Sequence, residues 1–176
     1  MTTLPDFRLE THFSKWEFTA KYHLTASDAE SMSMRELLAL ATPEEREAFE
    51  GMWLGYTETF GAPYLRETIA TLYENRGADE VLCFAGASEG IFAANSVILD
   101  KDSHAIVVTP NYQSHETLPV ALCEATGVPL DADDGWSLDI DRVAAAIRPN
   151  TKLVTINFPH NPTGTILPPD RYQALV

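Results

Sequence analysis

Three short stretches hold residue types whose spacing suits chemistry, and each follows an apolar run. In Gly86-Ala87-Ser88-Glu89-Gly90 the small side chains let backbone N–H groups approach an anion, and a helix beginning at Ser88 adds partial positive charge, so a phosphate is the natural guest. In Thr109-Pro110-Asn111-Tyr112-Gln113-Ser114-His115 a phenol ring and an imidazole stand three residues apart at a helix start. Tyr112 there either stacks on a flat ligand or caps a sheet with a half-buried ring, and His115 either serves a site or makes a structural hydrogen bond. In Asn157-Phe158-Pro159-His160-Asn161-Pro162-Thr163-Gly164 two prolines and a glycine restrict the backbone. Asn161 is thereby held in one orientation, ready to give its amide N–H₂ to a bound oxygen, although a plain turn has the same composition.

The elements that must position these loops are readable from periodicity. Val81-Leu82-Cys83-Phe84-Ala85, Ile106-Val107-Val108 and Leu153-Val154-Thr155-Ile156 are short continuous apolar runs, the pattern of strands covered on both faces. Helical patterns lie between and around them at about 88–99, 114–125 and 139–147, with a weaker strand near 128–130. Strand and helix therefore alternate, which predicts an α/β fold built on a parallel sheet, with ligands at the carboxyl ends of the strands. The acidic stretch Asp131-Ala132-Asp133-Asp134-Gly135 reads as a solvated turn.

The part before residue 81 reads as helical and irregular. Thr42-Pro43-Glu44-Glu45 is a capping box with proline at the first helical position, opening a helix through about Trp53. A second helix starts at Pro63, carries Leu65, Ile69, Leu72 and Tyr73 on one stripe, and is expected to stop at a left-handed Gly77. Another helix begins after Pro168-Pro169-Asp170, with Tyr172, Leu175 and Val176 opening its apolar face.

Composition narrows the function classes. The 176 residues carry 12 Lys+Arg against 26 Asp+Glu, a formal net charge of −14, and show no basic stripe, so nucleic acid and anionic membrane are excluded as partners. Hydrophobic residues make up 45%, enough for a folded core. Cys83 and Cys123 sit in apolar runs without metal-site spacing, and are expected to be reduced core residues. With neither a signal-like leader nor an apolar stretch long enough to span a bilayer, a soluble cytoplasmic protein is expected.

The five residues Gly86–Gly90 also match G-x-S-x-G, the nucleophile elbow of α/β-hydrolases. Such an enzyme would use Ser88 with His160 and one of Asp131, Asp133 or Asp134, but the upstream strands and oxyanion-hole glycines it needs are not in the sequence. Taken together and in order, Gly-Ala-Ser-Glu, Pro-Asn-Tyr and His-Asn-Pro-Thr-Gly instead resemble the class I/II pyridoxal-phosphate-dependent aminotransferases of fold type I. The stretch Tyr56-Thr57-Glu58-Thr59-Phe60-Gly61-Ala62-Pro63-Tyr64-Leu65-Arg66-Glu67 is similar to an earlier segment of that family, and the likeness covers roughly residues 54–172.

This resemblance implies a three-layer, mostly parallel sheet: the first part of the family's large domain over residues 56–176, preceded by a mainly helical segment, 1–55, belonging to a small domain and substrate mouth. It implies pyridoxal 5'-phosphate as cofactor, held at its phosphate by the N–H groups of Ala87 and Ser88 and the Ser88 hydroxyl, stacked on by Tyr112, and touched at its ring oxygen by Asn161. His115 would orient the carboxylate that grips the ring nitrogen, and Tyr56 would reach the partner's phosphate in a homodimer. Amino acids and oxo acids would be the substrates.

The family's Schiff-base lysine and ring-nitrogen aspartate belong downstream of Gly164, so these residues correspond to an amino-terminal half with no catalytic residue of its own and are not expected to catalyse transamination alone. Lys15, Lys21, Lys101 and Lys152 read as surface charge. The leader 21–37 is also similar to capreomycidine synthase, a cyclase of the same fold acting on a guanidino amino acid. That likeness brings in elimination or cyclisation as other reactions, and Asp28 or Glu30 as partners for a basic substrate side chain. A non-catalytic truncated product is the remaining alternative.

Overall fold

The computed structural model describes residues 4–176. Its elements run α1 (Arg8–Trp16), α2 (Met34–Ala39), α3 (Pro43–Glu50), α4 (Pro63–Ala70), α5 (Ala87–Ile98), β1 (His104–Thr109), α6 (Gln113–Leu122), β2 (Glu124–Pro129), α7 (Ile140–Ala145), β3 (Thr151–Thr155) and α8 (Pro169–Leu175). They form two compact units, one joining the chain up to Leu24 with Gly86–Val176, the other Thr25–Ala85.

The first unit is the α/β part. Its three strands are parallel in the order β2-β1-β3, with β1 in the centre. Because side chains alternate across a strand, Ile106 and Val108 of β1 face one side, where they join Val128, Leu130, Leu138, Ile140, Val143 and Leu167 in the main buried cluster. Ala105 and Val107, also buried, face the opposite side, and α6 lies against β1 and β2. A strand enclosed on both faces has no use for polar side chains in its middle, which is why β1 reads as an unbroken apolar run. The ends of β1 are polar. Buried His104 at its start joins the hydroxyl oxygens of Thr151 on β3 (2.7 Å) and Thr126 on β2 (2.8 Å), tying the three strands together.

Helix α6 stops at Leu122, three residues before its expected end, because β2 begins at Glu124 and recruits Ala125 and Thr126 into the ladder with β1. The acidic stretch forms a short 3₁₀ turn capped by Asp131, with Gly135 in the left-handed region at φ 61°.

The second unit holds α2, α3 and α4. Both of its first helices begin with reciprocal capping boxes: Thr42 Oγ1 accepts from the Glu45 N–H and the Glu45 carboxylate accepts from the Thr42 N–H, as Ser33 and Glu36 do for α2. Helix α3 ends at Glu50, short of Trp53. Helix α4 ends at Ala70 and Gly77 is extended (φ −97°), so the expected left-handed stop does not form. The Thr68 and Thr71 hydroxyls bond back to the carbonyls of Tyr64 and Thr68, a competition for backbone acceptors that disfavours continuing the helix.

The expected strand at Val81–Ala85 is also absent: the segment starts extended at Val81 but pairs with no strand among the described residues and bends at Ala85. Its backbone groups go instead to the Phe60 carbonyl, which accepts from the Cys83 N–H at 2.9 Å, and to Arg66, whose Nε donates to the Val81 carbonyl at 2.9 Å. An apolar run becomes a strand only where a neighbour completes its ladder. Cys83 and Cys123 are both free thiols, half-buried rather than core. Among the described residues no helix is long and apolar enough to cross a membrane.

Candidate functional site

Neighbouring parallel strands deliver their following loops side by side. The loop after β1 carries Asn111 and Tyr112, the loop after β3 carries Asn161, and all three line one cleft of about 720 Å³. Asn111 shapes the first loop: its side-chain N–H donates to the Val108 carbonyl (3.0 Å), its Oδ1 accepts from the Tyr112 N–H (2.8 Å), and its own N–H donates to Glu116 Oε1 (2.6 Å). These bonds turn the chain from β1 into α6 and leave the Tyr112 ring half-buried at the cleft.

The second loop closes on itself. The His160 N–H donates to the Thr165 carbonyl (2.8 Å) and the Gly164 N–H to the His160 carbonyl (2.7 Å), while Gly164 at φ 76° takes a conformation that other residues rarely adopt. The His160 ring, 2% exposed, joins the two loops. Its Nδ1 lies 2.7 Å from Thr163 Oγ1 and faces the Thr163 N–H, so the network assigns Nδ1 as acceptor and Nε2–H as donor to the Pro110 carbonyl at 2.7 Å. With both ring nitrogens so engaged, His160 does not pair with Ser88, and the hydrolase arrangement is not assembled.

Helix α5 begins near Tyr112 but does not line this cleft. Its N-cap is Gly86, which supplies no capping side chain, so first-turn N–H groups of this 12-residue helix remain open beside exposed Ala87 and Ser88. Ser88 Oγ lies 3.3 Å from the Tyr112 hydroxyl, which links this helix start to the Tyr112 loop. The His115 ring stands 6.4 Å from Tyr112 in an edge-on arrangement. Burial pushes the His115 pKa down, favouring its neutral form, and Thr155 Oγ1 donates to its backbone carbonyl at 3.2 Å.

Of the expected residues, then, Ser88, Tyr112 and His115 form a chain of neighbours and Asn161 shares the cleft with Tyr112. Ala87 sits beside Ser88 at the helix start, and Tyr56 is fully exposed in the Thr25–Ala85 unit. The four lysines are exposed. Sequence reasoning missed Asn111, Glu116, Phe7 and Gln113. The asparagine between Pro110 and Tyr112 was a usable turn signal and Glu116 bonds it from five residues on; the contacts of Phe7 and Gln113 span distances no local pattern reports.

An uncapped helix start with a serine hydroxyl suits a phosphate, a half-open phenol ring suits a flat heterocycle, and an amide at the cleft suits a ring oxygen. On a parallel sheet flanked by helices, this arrangement is that of the fold type I pyridoxal-phosphate-dependent class.

The comparisons with known proteins agree. The description "Aminotransferase class I and II" matches residues 21–176, and the chain belongs to that family, whose cofactor is pyridoxal 5'-phosphate. The arginine–pyruvate transaminase AruH of Pseudomonas aeruginosa is 32% identical over 127 residues, covering 68% of this chain and 32% of that protein. A PLP-dependent aminotransferase from Streptococcus suis superposes with a TM-score of 0.90 at 26% identity, over 99% of this chain and 48% of its own. The PLP-dependent cyclase OrfR superposes at 0.84 with 26% identity, over 98% of this chain and 45% of its own. The chain spans about a third of the length of the curated relatives it matches.

Proposed function

We propose that these residues form the cofactor cradle of an aminotransferase that moves an amino group from an amino acid to an oxo acid. The observation that carries this reading is the grouping of Ser88, at the start of α5, with Tyr112 and Asn161 from the loops after β1 and β3: Ser88 Oγ lies 3.3 Å from the Tyr112 hydroxyl and Asn161 lines the same cleft as Tyr112. Pyridoxal phosphate, when bound, supplies an electron sink for the bond broken at the substrate's α carbon. The chain's own groups bind and aim it. The N–H groups of Ala87 and Ser88 and the Ser88 hydroxyl take the phosphate, the Tyr112 ring covers the heterocycle, and the Asn161 amide donates to the ring oxygen. Neutral His115 orients a carboxylate on the ring nitrogen.

In this proposal the Schiff-base lysine and that carboxylate lie outside the 176 residues, and the chain alone is inactive. Residues 1–55 belong to a small domain and substrate mouth, 56–176 to the large domain, and Tyr56 reaches the partner's cofactor in a cytoplasmic homodimer. The test is cofactor titration and amino transfer in the full-length protein. Tyr112→Phe keeps the ring and binds the cofactor nearly as wild type, whereas Tyr112→Ala weakens binding about tenfold, the order expected for lost stacking. Absence of a visible band on adding the cofactor, or no oxo acid formed from any amino donor, would overturn the reading.

Cyclisation is a second reading, supported by the likeness to OrfR over nearly the whole chain. Asp28 or Glu30, both exposed, would then pair with a basic substrate side chain. A cyclase turns over without any oxo-acid acceptor; an aminotransferase stalls after one half-reaction.

A further inference from the structure

The cleft at Tyr112 has one wall that comes from far away in sequence. Pro5, Asp6, Phe7, Arg8, Leu9 and His12 form it, and among the described contacts one side chain hydrogen-bonds the segment's backbone to the start of α6. The Gln113 amide bonds the segment's backbone twice: Nε2 donates to the Asp6 carbonyl at 2.8 Å, and Oε1 accepts from the Arg8 N–H at 2.9 Å. A primary amide presents a donor and an acceptor side by side, as a neighbouring strand does, so it can pair with an extended backbone in place of one. Between the two anchored residues the Phe7 ring packs on Tyr112, centroids 5.5 Å apart and tilted by 55°. Gln113 follows Tyr112 directly and is the first residue of α6, so the residue that anchors the wall and the ring it packs against move together.

We propose that Gln113 is a positioning residue: by gripping the backbone on both sides of Phe7 it fixes the N-terminal segment as the substrate-side wall of the cleft and holds Phe7 against Tyr112. The consequence for substrate binding rests on the aminotransferase reading; the grip itself does not. Nothing else bonds this segment's backbone to the α6 start by side chain among the described contacts.

Arg8 places a trypsin site at the edge of the grip, one bond past the gripped N–H, which makes the grip measurable without cofactor or substrate. In the full-length apoprotein, Gln113→Ala should speed cleavage after Arg8 by about tenfold or more, as loss of two hydrogen bonds implies, with cleavage after Arg76 in the other compact unit unchanged. Gln113→Glu should fall between, since its carboxylate still accepts from the Arg8 N–H but cannot donate to the Asp6 carbonyl. In the holoenzyme, Gln113→Ala should raise KM for the amino donor by a larger factor than it lowers kcat. Unchanged cleavage after Arg8, or equal acceleration at Arg8 and Arg76, would overturn the grip. Faster cleavage after Arg8 with KM and kcat both unaltered would overturn the wall's part in substrate binding while leaving the grip. Absence of any transamination in the wild type would fall on the functional reading, which the proteolysis does not use.

Discussion

Replacing His160 by alanine tests how the two loops of the site are held together. The ring is 2% exposed and bridges the Pro110 carbonyl and Thr163 Oγ1 at 2.7 Å each. Two hydrogen bonds are worth about 0.5–1.5 kcal/mol apiece, and removal of a buried ring of this size with partial collapse adds about 2–3 kcal/mol. His160→Ala should therefore cost about 3–6 kcal/mol, a large share of the roughly 5–15 kcal/mol that holds a typical domain. His160→Gln reaches the Pro110 carbonyl with its amide and loses only the Thr163 side, so it should cost less than half as much. Urea unfolding of the full-length apoprotein measures both, and cofactor titration then reads how far the slackened loops displace Tyr112 and Asn161. An alanine variant within about 0.5 kcal/mol of wild type, the range of an inert surface change, would refute the bridge.

His104 ties three strands from a fully buried position, and burial, followed by the nearby Arg148 charge and opposed by Glu124, holds its pKa below the ordinary 6.5. The unfolded chain then takes up the proton first, so stability is complete above about pH 6.5 and declines as pH falls below it; His115, lowered by burial, adds in the same direction. His104→Gln should flatten the dependence of the urea midpoint between about pH 5 and 8, and an unchanged slope would count against the account. Gly61 stands at φ 109°, and an added Cβ would lie 2.5 Å from Cys83 Sγ. Gly61→Ala should cost about 2–5 kcal/mol. Adding Cys83→Ala should relieve only the Sγ share of the overpacking, because the Cys83 Cβ stays 2.7 Å from the new methyl; full recovery would show that neither this contact nor the positive φ is strained.

What could be read without coordinates shares one property: its partners lie within a few residues. The capping box at Thr42 and Glu45 is a three-residue event, and β1 announces itself because both of its faces are covered. The three candidate loops follow apolar runs directly, so their order along the chain already marked Ser88, Tyr112 and Asn161 as candidates.

The failures concern groups whose partners are remote. Val81–Ala85 has the composition of a strand, yet no ladder forms beside it, and Phe60 and Arg66 take its backbone bonds. His160 looked like a possible triad member until its ring was seen bridging to Pro110, 50 residues away. Gln113 carries no signal of its own in the sequence, and its two bonds reach 105 and 107 residues back. Composition and periodicity determined most of the helices, the central buried strand and the rigid loop after β3, because those preferences act through neighbouring residues. Only the tertiary structure decided which loops share a cleft and which side chains hold them, because hydrogen bonds and packing join atoms by distance in space and leave no trace in spacing along the chain.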